Sequence, residues 1–260
     1  MMSGFYDHFL PEERPFVDRV LEWIERSAEL HELKRTDFLD PRQQSILLSL
    51  ANREPAVTVR LDGGYEGAER RRALIAPEYR YLDAEDIAIV VLDIEAPSGG
   101  RLELDHGDYL GAVLGLGIKR DRIGDIHVGD EGAQLLVASD IADFLNVHLR
   151  QVHRVNVLTS AKPLEALRPV AVEMDEMTFT VASLRLDGVA SDVYRISRTK
   201  IVDPIRAGRC RVNWRTEEDP SKPLREGDVV SIKGLGRFKL LEVDGVTKKG
   251  RIRVRAGKYV

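Results

Sequence analysis

Hydrophobic residues recur at helical spacing at the start of the chain and then give way to short, strand-like runs. The first of these patterns predicts a helix over residues 8–34. Asp40 followed by Pro41 is typical of a helix start, so we expect a second helix there. Residues 56–61 predict a strand that ends in a turn at Asp62 and the two glycines after it. Residues 1–80 are therefore predicted to form an α+β domain that begins with a helical segment.

Residues 81–180 predict a second domain in which strands and helices alternate. In chain order, the strands are expected near residues 87–94, 125–128, 134–138 and 155–158. One helix is expected over about 107–116 with Asp105 as its cap, and another after a cap at Ser139 or Asp140. The β-α-β-β-α-β order is typical of a ferredoxin-like or RRM-like domain. The overall fold class is predicted to be α+β.

An RRM binds RNA by stacking bases on aromatic side chains of its central strands. Residues 134–138 contain no aromatic residue. Two roles for this domain therefore remain open: contact with RNA through shape and charge, or service as a scaffold.

Charge separates the last part of the chain, residues 181–260, from the rest. This segment has 19 Lys/Arg and 10 Asp/Glu, a net charge of +9, whereas the whole chain is at −4, which leaves −13 for residues 1–180. A basic segment on an acidic body is typical of a protein that binds a polyanion, because each cation that neutralises a phosphate releases counterions.

The basic segment predicts a helix, a short link, a second helix, a turn at Gly208 and a strand. Ser197 is suited to cap the second helix, and Gly208 is suited to a helix end with positive φ. We expect the cations to form a compact surface that follows an RNA backbone, with Arg198 serving binding and Ser197 serving stability. The candidate RNA-binding residues are Arg185, Arg195, Ser197, Arg198, Lys200, Arg206, Arg209, Arg211, Asn213, Lys233, Arg237 and Lys239.

This segment resembles the S4 domain, a small RNA-binding module. The resemblance rests on the following residues in order: Arg185, Leu186, Asp187, Ser197, Arg198, Ile205, Gly208, Val212, Asn213, Gly227 and Asp228. Two positions depart from the module: Trp214 stands where glycine commonly follows the Asn, and Pro204 falls inside the second helix. A proline there removes one backbone hydrogen bond and is expected to kink the helix.

Taken with the S4-like segment, residues 105–126 and the stretch from Asp62 to Arg70 resemble the YlmH family of bacterial and plastid proteins. Lys119, Arg120 and Arg122 of this region are expected to cluster before the next strand. The resemblance implies a non-enzymatic RNA-binding factor of the large ribosomal subunit. Its S4 domain would contact rRNA, with tRNA as a further partner, during quality control of stalled nascent chains. The family also has a link to cell division and to photosystem assembly.

Enzymatic alternatives find less support in the residues. Arg185, Leu186 and Asp187 imitate the motif with the catalytic aspartate of pseudouridine synthases, but no catalytic domain follows them, so Asp187 is interpreted as structural. The chain lacks the glycine-rich turn of a methyltransferase and clustered metal ligands. We expect no catalytic residue, metal, cofactor or small-molecule substrate. The alternatives are an accessory of an RNA-modifying enzyme and an interaction protein for cell division or photosystem assembly.

Composition bears on where in the cell the protein is expected. No apolar run approaches the roughly 20 residues that span a membrane, and the first residues do not form a secretory signal. The single cysteine, Cys210, excludes an intramolecular disulfide and is interpreted as a packing residue. The prediction is a cytoplasmic protein without a membrane partner. The run of Arg70, Arg71 and Arg72 is interpreted as a solvated face or as a second phosphate contact.

Overall fold

The structure is a computed structural model that describes residues 6, 9–97, 103–170, 173–247 and 250–259. Helices and antiparallel sheets are both present, which confirms the predicted α+β class. The chain divides into two compact units, residues 1–170 and 171–260. Within the described ranges, no helix has the length and apolar character needed to cross a bilayer.

The N-terminal part of the first unit packs two helices against a small sheet. Its elements are α1 (Arg14–Leu30), β1 (Lys34–Arg35), α2 (Pro41–Ala51), β2 (Val57–Asp62) and β3 (Arg72–Pro77). The sheet order is β1-β3-β2. Apolar residues of α1, α2 and β3 form one core cluster, which includes Val17, Leu47 and Ile75.

The first helix is shorter than the predicted range of 8–34. Residues Pro11–Glu13 form a 3-10 turn before it, and its C-cap His31 has a left-handed φ of 57°. The chain leaves the helix there, and Lys34, the last residue of the predicted range, belongs to β1 instead. The start of α2 is as predicted, because the Asp40 carboxylate accepts a hydrogen bond of 2.9 Å from the Gln43 N–H.

In the run of arginines before and at the start of β3, Arg70 and Arg72 serve the fold. Arg72 is only 6% exposed and donates to the carbonyls of Thr36 and Ala88. Arg70 donates to the carbonyls of Phe38 and Ile123. Both guanidinium groups therefore join separate segments of the first unit, and both sequence-based interpretations are wrong for them.

The second part of the first unit has the predicted β-α-β-β-α-β order. Its elements are β4 (Ile89–Glu95), α3 (His106–Gly115), β5 (Ile123–Gly129), β6 (Gly132–Ala138), α4 (Ser139–His148), β7 (Gln151–Val152), β8 (Val155–Asn156) and β9 (Leu158–Lys162). The antiparallel sheet has the order β5-β6-β4-β9, with β7 and β8 as a separate small hairpin.

Two local predictions in this part are wrong. Neither Ser139 nor Asp140 caps α4, because the N-cap is Ala138 and makes no side-chain bond to the helix. The last sheet strand is β9 instead of residues 155–158, because Val155 and Asn156 pair back on β7 while β9 pairs with β4. The predicted cap of α3 is correct, since the Asp105 carboxylate accepts from the Asp108 N–H at 2.9 Å.

The C-terminal unit is a six-stranded antiparallel sheet with two helices on one face. Its elements are β10 (Met174–Val181), α5 (Leu186–Tyr194), α6 (Arg198–Arg206), β11 (Cys210–Val212), β12 (Arg215–Thr216), β13 (Val229–Ile232), β14 (Gly236–Val246) and β15 (Ile252–Tyr259). The sheet order is β10-β15-β14-β13-β11-β12. Strand β10 pairs with β15 along its whole length, so this unit begins before the predicted boundary at residue 181.

The hairpin of β5 and β6 offers a test of the first unit. A Cβ added at Gly132 would overlap the backbone carbonyl oxygen of Ile94 on the neighbouring strand, whereas one at Gly129 would make an ordinary contact of 3.8 Å. We expect Gly132→Ala to destabilise the protein by at least about 2 kcal/mol, because backbone atoms must move to accept it. Gly129→Ala is the control and should be nearly neutral in urea unfolding. Equal unfolding midpoints for the two variants would contradict this packing.

Candidate nucleic-acid interface

The central strands β4 and β6 of the four-stranded sheet are buried on both faces. On one face, Leu92, Ile94 and Leu135 pack in a cluster with residues of α3 and α4. On the other face, Val91 and Leu136 belong to a different cluster. That second cluster also contains Phe38, Leu74, Ala76, Leu164 and Leu167, which come from the N-terminal part and from the segment after β9. The face that an RRM uses to stack bases is therefore occupied by protein.

The cations predicted before β5 also serve the fold. Arg120 donates to the carbonyls of Ile123 and Gly124, and burial lowers its pKa to about 10. Arg122 pairs with Asp37 and Asp140. Of this predicted cluster, Lys119 is the exposed member without an ion pair among the described residues.

The helix pair of the C-terminal unit follows the sequence prediction. The Ser197 hydroxyl accepts a long hydrogen bond of 3.4 Å from the Lys200 N–H and so caps α6. Gly208 has a φ of 66° at the turn after α6. Pro204 lies inside α6, and the helix nevertheless continues to Arg206.

A buried carboxylate joins the two helices. Asp187, in the first turn of α5, is 6% exposed and accepts from Arg185 at 3.1 Å and from Arg198 at 2.7 Å. Burial opposes ionisation of Asp187, but the bonds from the two arginines outweigh it and leave its pKa below the ordinary value. Two of the twelve candidate residues, Arg185 and Arg198, are therefore engaged in holding the helices together.

Asn213 also has a structural position. Its side-chain N–H donates to Asp228 at 2.8 Å, and its side-chain oxygen accepts from the Val229 N–H at 2.9 Å. Its backbone N–H donates to the Val229 carbonyl at 2.8 Å. These bonds attach the turn between β11 and β12 to the start of β13.

Several other candidate cations are accessible and make no ion pair among the residues that the structure describes. They are Arg195, Lys200, Arg206, Arg209, Arg211, Lys233 and Lys239. Arg215 and Arg225 share these properties and were not predicted. The alternation of exposed and buried residues around the turn after Val212 would have identified Arg215. Arg237 differs, because its guanidinium lies 4.1 Å from the ring centre of Tyr259.

The accessible cations lie on two sides of the unit instead of on one compact surface. Phe238 and Leu240 pack in the same cluster as α5 and α6, so Arg237 and Lys239, which alternate with them, project to the opposite face. Arg211 pairs with Ser231, and Ser231 pairs with Arg237, which makes a row across three strands. Arg195, Lys200 and Arg206 belong to the helical layer instead.

Arg209 and Lys233 connect the two groups at one end of the sheet. The Lys233 N–H donates to the Arg209 carbonyl at 3.0 Å, directly after the end of α6. The far strands of the sheet differ, because their arginines are paired. Arg255 bonds to Glu176 and Glu242, and Arg253 bonds to Asp244. The unpaired positive charge is thus concentrated around α6, β11, β13 and the start of β14.

Two further features bear on a reactive thiol and on a metal site. Cys210 is fully buried in the core, and burial raises its pKa to about 12, so its interpretation as a packing residue is confirmed. Across the described part of the chain, no group of three or more His, Cys, Asp or Glu residues is placed to hold a metal ion.

Comparison with known proteins gives matches over most of the chain. The family model "YlmH, N-terminal" matches residues 12–80, and "Putative RNA-binding domain in YlmH" matches residues 83–166. The chain is 39% identical to "Ribosome-associated protein quality control protein P2" of Bacillus subtilis, over 97% of this chain and 98% of that protein. A solved structure, "Cell division protein ylmH from Streptococcus pneumoniae", is 27% identical with a TM-score of 0.54, and covers 63% of this chain and 99% of its own.

The pairing of Asp187 reverses the expectation for Arg198. We now expect Arg198→Ala to lower the stability of the protein by about 1 kcal/mol, because it leaves a buried carboxylate with one partner fewer. Lys200→Ala is the matched control, because Lys200 lies two residues further along α6 and makes no ion pair among the described residues, so the melting temperature should be nearly unchanged. Differential scanning calorimetry of both variants measures the difference, and equal melting temperatures would show that Arg198 has no structural role.

Proposed function

We propose that this chain, which belongs to the YlmH family, is a non-catalytic RNA-binding protein of the large ribosomal subunit. In this proposal the C-terminal unit is an S4 domain that contacts rRNA, and tRNA as well, in the cytoplasm. The name of the Bacillus subtilis relative refers to ribosome-associated protein quality control. We propose the same process for this chain, namely the handling of stalled nascent chains.

The main support for this proposal comes from the cations of the C-terminal unit that make no ion pair among the described residues. A guanidinium or ammonium group that is already paired with a carboxylate has little to gain from a phosphate, whereas an unpaired one releases counterions when it binds. Four of these cations are exposed and make no ion pair within the part of the chain that the structure describes, namely Arg206, Arg209, Arg211 and Lys233. Their distribution around the end of one helix and the adjoining strands suits a folded RNA backbone that is recognised by shape.

The middle part of the chain has a more limited role in this proposal. Because both faces of the central strands β4 and β6 are buried, contact with RNA would have to come from loops and from the edges of the sheet. The exposed residues Arg150, directly before the small β7–β8 hairpin, and Arg154, in its turn, make no ion pair among the described residues. They offer a second, smaller set of phosphate contacts, while the rest of this part serves as a scaffold.

A matched pair of double variants tests the electrostatic basis of binding. Wild-type protein that makes about five phosphate contacts should show a slope of about −3 to −5 in log affinity against log salt concentration. Arg206→Ala with Arg209→Ala should reduce that slope by about 2, since each lost phosphate contact removes about 1. Arg253→Ala with Arg255→Ala removes the same charge from residues that are already paired, so the slope should change little.

The measurement is co-sedimentation of the full-length protein with purified large ribosomal subunits at several salt concentrations. A wild-type slope near zero would contradict the proposal. Equal effects of the two double variants would show that overall charge, and not this surface, determines binding. Association that persists after RNase treatment would favour a protein partner instead. The name of the solved relative refers to cell division.

A separate test concerns the proposed lack of catalysis. Purified protein incubated with ribosomal RNA and with methyl or nucleotide donors should leave the RNA unmodified, because binding of phosphates by these cations involves no chemical step. Nucleoside mass spectrometry of the recovered RNA provides the readout. A modified nucleoside that depends on the protein would overturn the binding-factor proposal in favour of an RNA-modifying activity.

A further inference from the structure

Trp214 occupies an unusual backbone conformation at the tip of the β11–β12 hairpin. The two residues of the turn, Asn213 and Trp214, have φ angles of 50° and 65°. A two-residue hairpin turn with both φ values positive is of type I′, for which Asn followed by Gly is preferred. A bulky side chain is an outlier in this region, because its Cβ crowds the backbone. The turn itself therefore does not explain why a tryptophan occupies this position.

The surrounding contacts hold the turn in place. Three hydrogen bonds connect Asn213 to Asp228 and Val229, with lengths of 2.8–2.9 Å. The tip is therefore fixed to β13, and the position of the Trp214 backbone is fixed with it. Strained residues that the neighbouring structure holds in this way are concentrated at binding sites.

Packing into the hydrophobic core of the unit does not explain the presence of a tryptophan at this position. Trp214 remains partly exposed, and it is neither a member of the core cluster of the C-terminal unit nor among the residues packed against that cluster. By contrast, Trp23, the other tryptophan of the chain, packs against the core of its own unit and makes an edge contact with Phe16. Trp214 thus contributes little to the hydrophobic core of its unit.

Cations lie on the strands next to this turn. Arg211 lies on β11, and Lys239 pairs with Val229, the residue to which Asn213 is bonded. Both side chains alternate with core residues and so project from the sheet face opposite the helices. Both are accessible and make no ion pair among the described residues. An aromatic ring among unpaired cations is the arrangement that binds single-stranded nucleic acid, since the ring stacks on a base while the cations bind phosphates.

We propose that Trp214 stacks on an unpaired nucleobase of the RNA, while Arg211 and Lys239 bind the neighbouring phosphates. This inference rests on the proposed RNA-binding function and adds to it a preference for a loop or bulge over a continuous duplex. In a continuous duplex the base faces are covered by their neighbours, so the indole has no partner there.

Substitution at Trp214 separates binding from folding. Trp214→Gly places the residue that a type I′ turn prefers at this position, so it should keep or raise the melting temperature. The same variant should lose about 5- to 100-fold in affinity for an RNA hairpin with a single-stranded loop, the range expected for loss of one base stack. Trp214→Phe retains a ring and should bind with intermediate affinity. The slope against salt should be unchanged, because no cation is removed.

The probe is a fluorescein-labelled RNA hairpin with a mixed-sequence loop, compared with a blunt RNA duplex of equal length by anisotropy. Affinity for the duplex should be the same for wild type and Trp214→Gly. Equal affinity of the two proteins for the hairpin would overturn the stacking inference and leave the proposed function intact. Failure of the wild type to bind either RNA would instead overturn the proposed function, and this inference with it.

Fluorescence gives an independent readout, because the chain contains two tryptophans. In a full-length Trp23→Phe variant, all indole emission comes from Trp214. Addition of unlabelled hairpin RNA should quench this emission, with a midpoint that agrees with the anisotropy titration. Unchanged emission at RNA concentrations that saturate binding would show that the indole does not contact a base, and would overturn the inference.

Discussion

Burial of both faces of the central strands β4 and β6 is the constraint on which the arrangement of the first unit depends. Helices α3 and α4 cover one face, and apolar residues of the N-terminal part and of the segment after β9 cover the other. Apolar burial of this extent stabilises the unit, and exposure of either face would forfeit it. A sheet with the topology of an RNA-binding domain is thereby converted into a structural core. In the C-terminal sheet, by contrast, Arg211 and Arg237 project from the face opposite the helices.

The arginines of this protein fall into two groups that composition alone does not distinguish. Arg70 and Arg72 donate to backbone carbonyls of separate segments, where they act as polar cross-links, and Arg120 donates to carbonyls three and four residues further along the chain. Arg206 and Arg209 have exposed side chains without ion pairs in the described structure. Only the second group is free to attract a polyanion. The net charge of a segment therefore overstates its capacity for phosphate, since part of the charge is already committed to the fold.

Local signals in the sequence predicted local structure well. Asp40, Asp105 and Ser197 were each assigned as helix caps, and each accepts a backbone hydrogen bond at its helix start. These motifs depend on residues three positions apart, so spacing alone is sufficient to identify them. The order of strands and helices in the middle of the chain could be predicted for the same reason, from short-range periodicity.

Interactions between distant residues could not be predicted in this way. Asp187 and Arg198 are eleven residues apart. They meet only because α5 ends at Tyr194 and the chain turns at Arg195 before α6 begins. The partners of Arg72 lie thirty-six and sixteen residues away. Nothing in the spacing of such residues distinguishes an arginine that binds RNA from one that binds a carbonyl. The strand β9 was misplaced for a related reason, because its identity depends on pairing with β4.

The buried thiol of Cys210 has a consequence for the chemistry of the whole chain. It is the single cysteine, it is fully buried, and its high pKa keeps it protonated at neutral pH. Because the thiolate is the form that reacts with alkylating reagents and disulfides, the folded protein offers them no ready target. A cysteine introduced at any exposed position would therefore be the one site of labelling, and the natural sequence already serves as its own unreactive background.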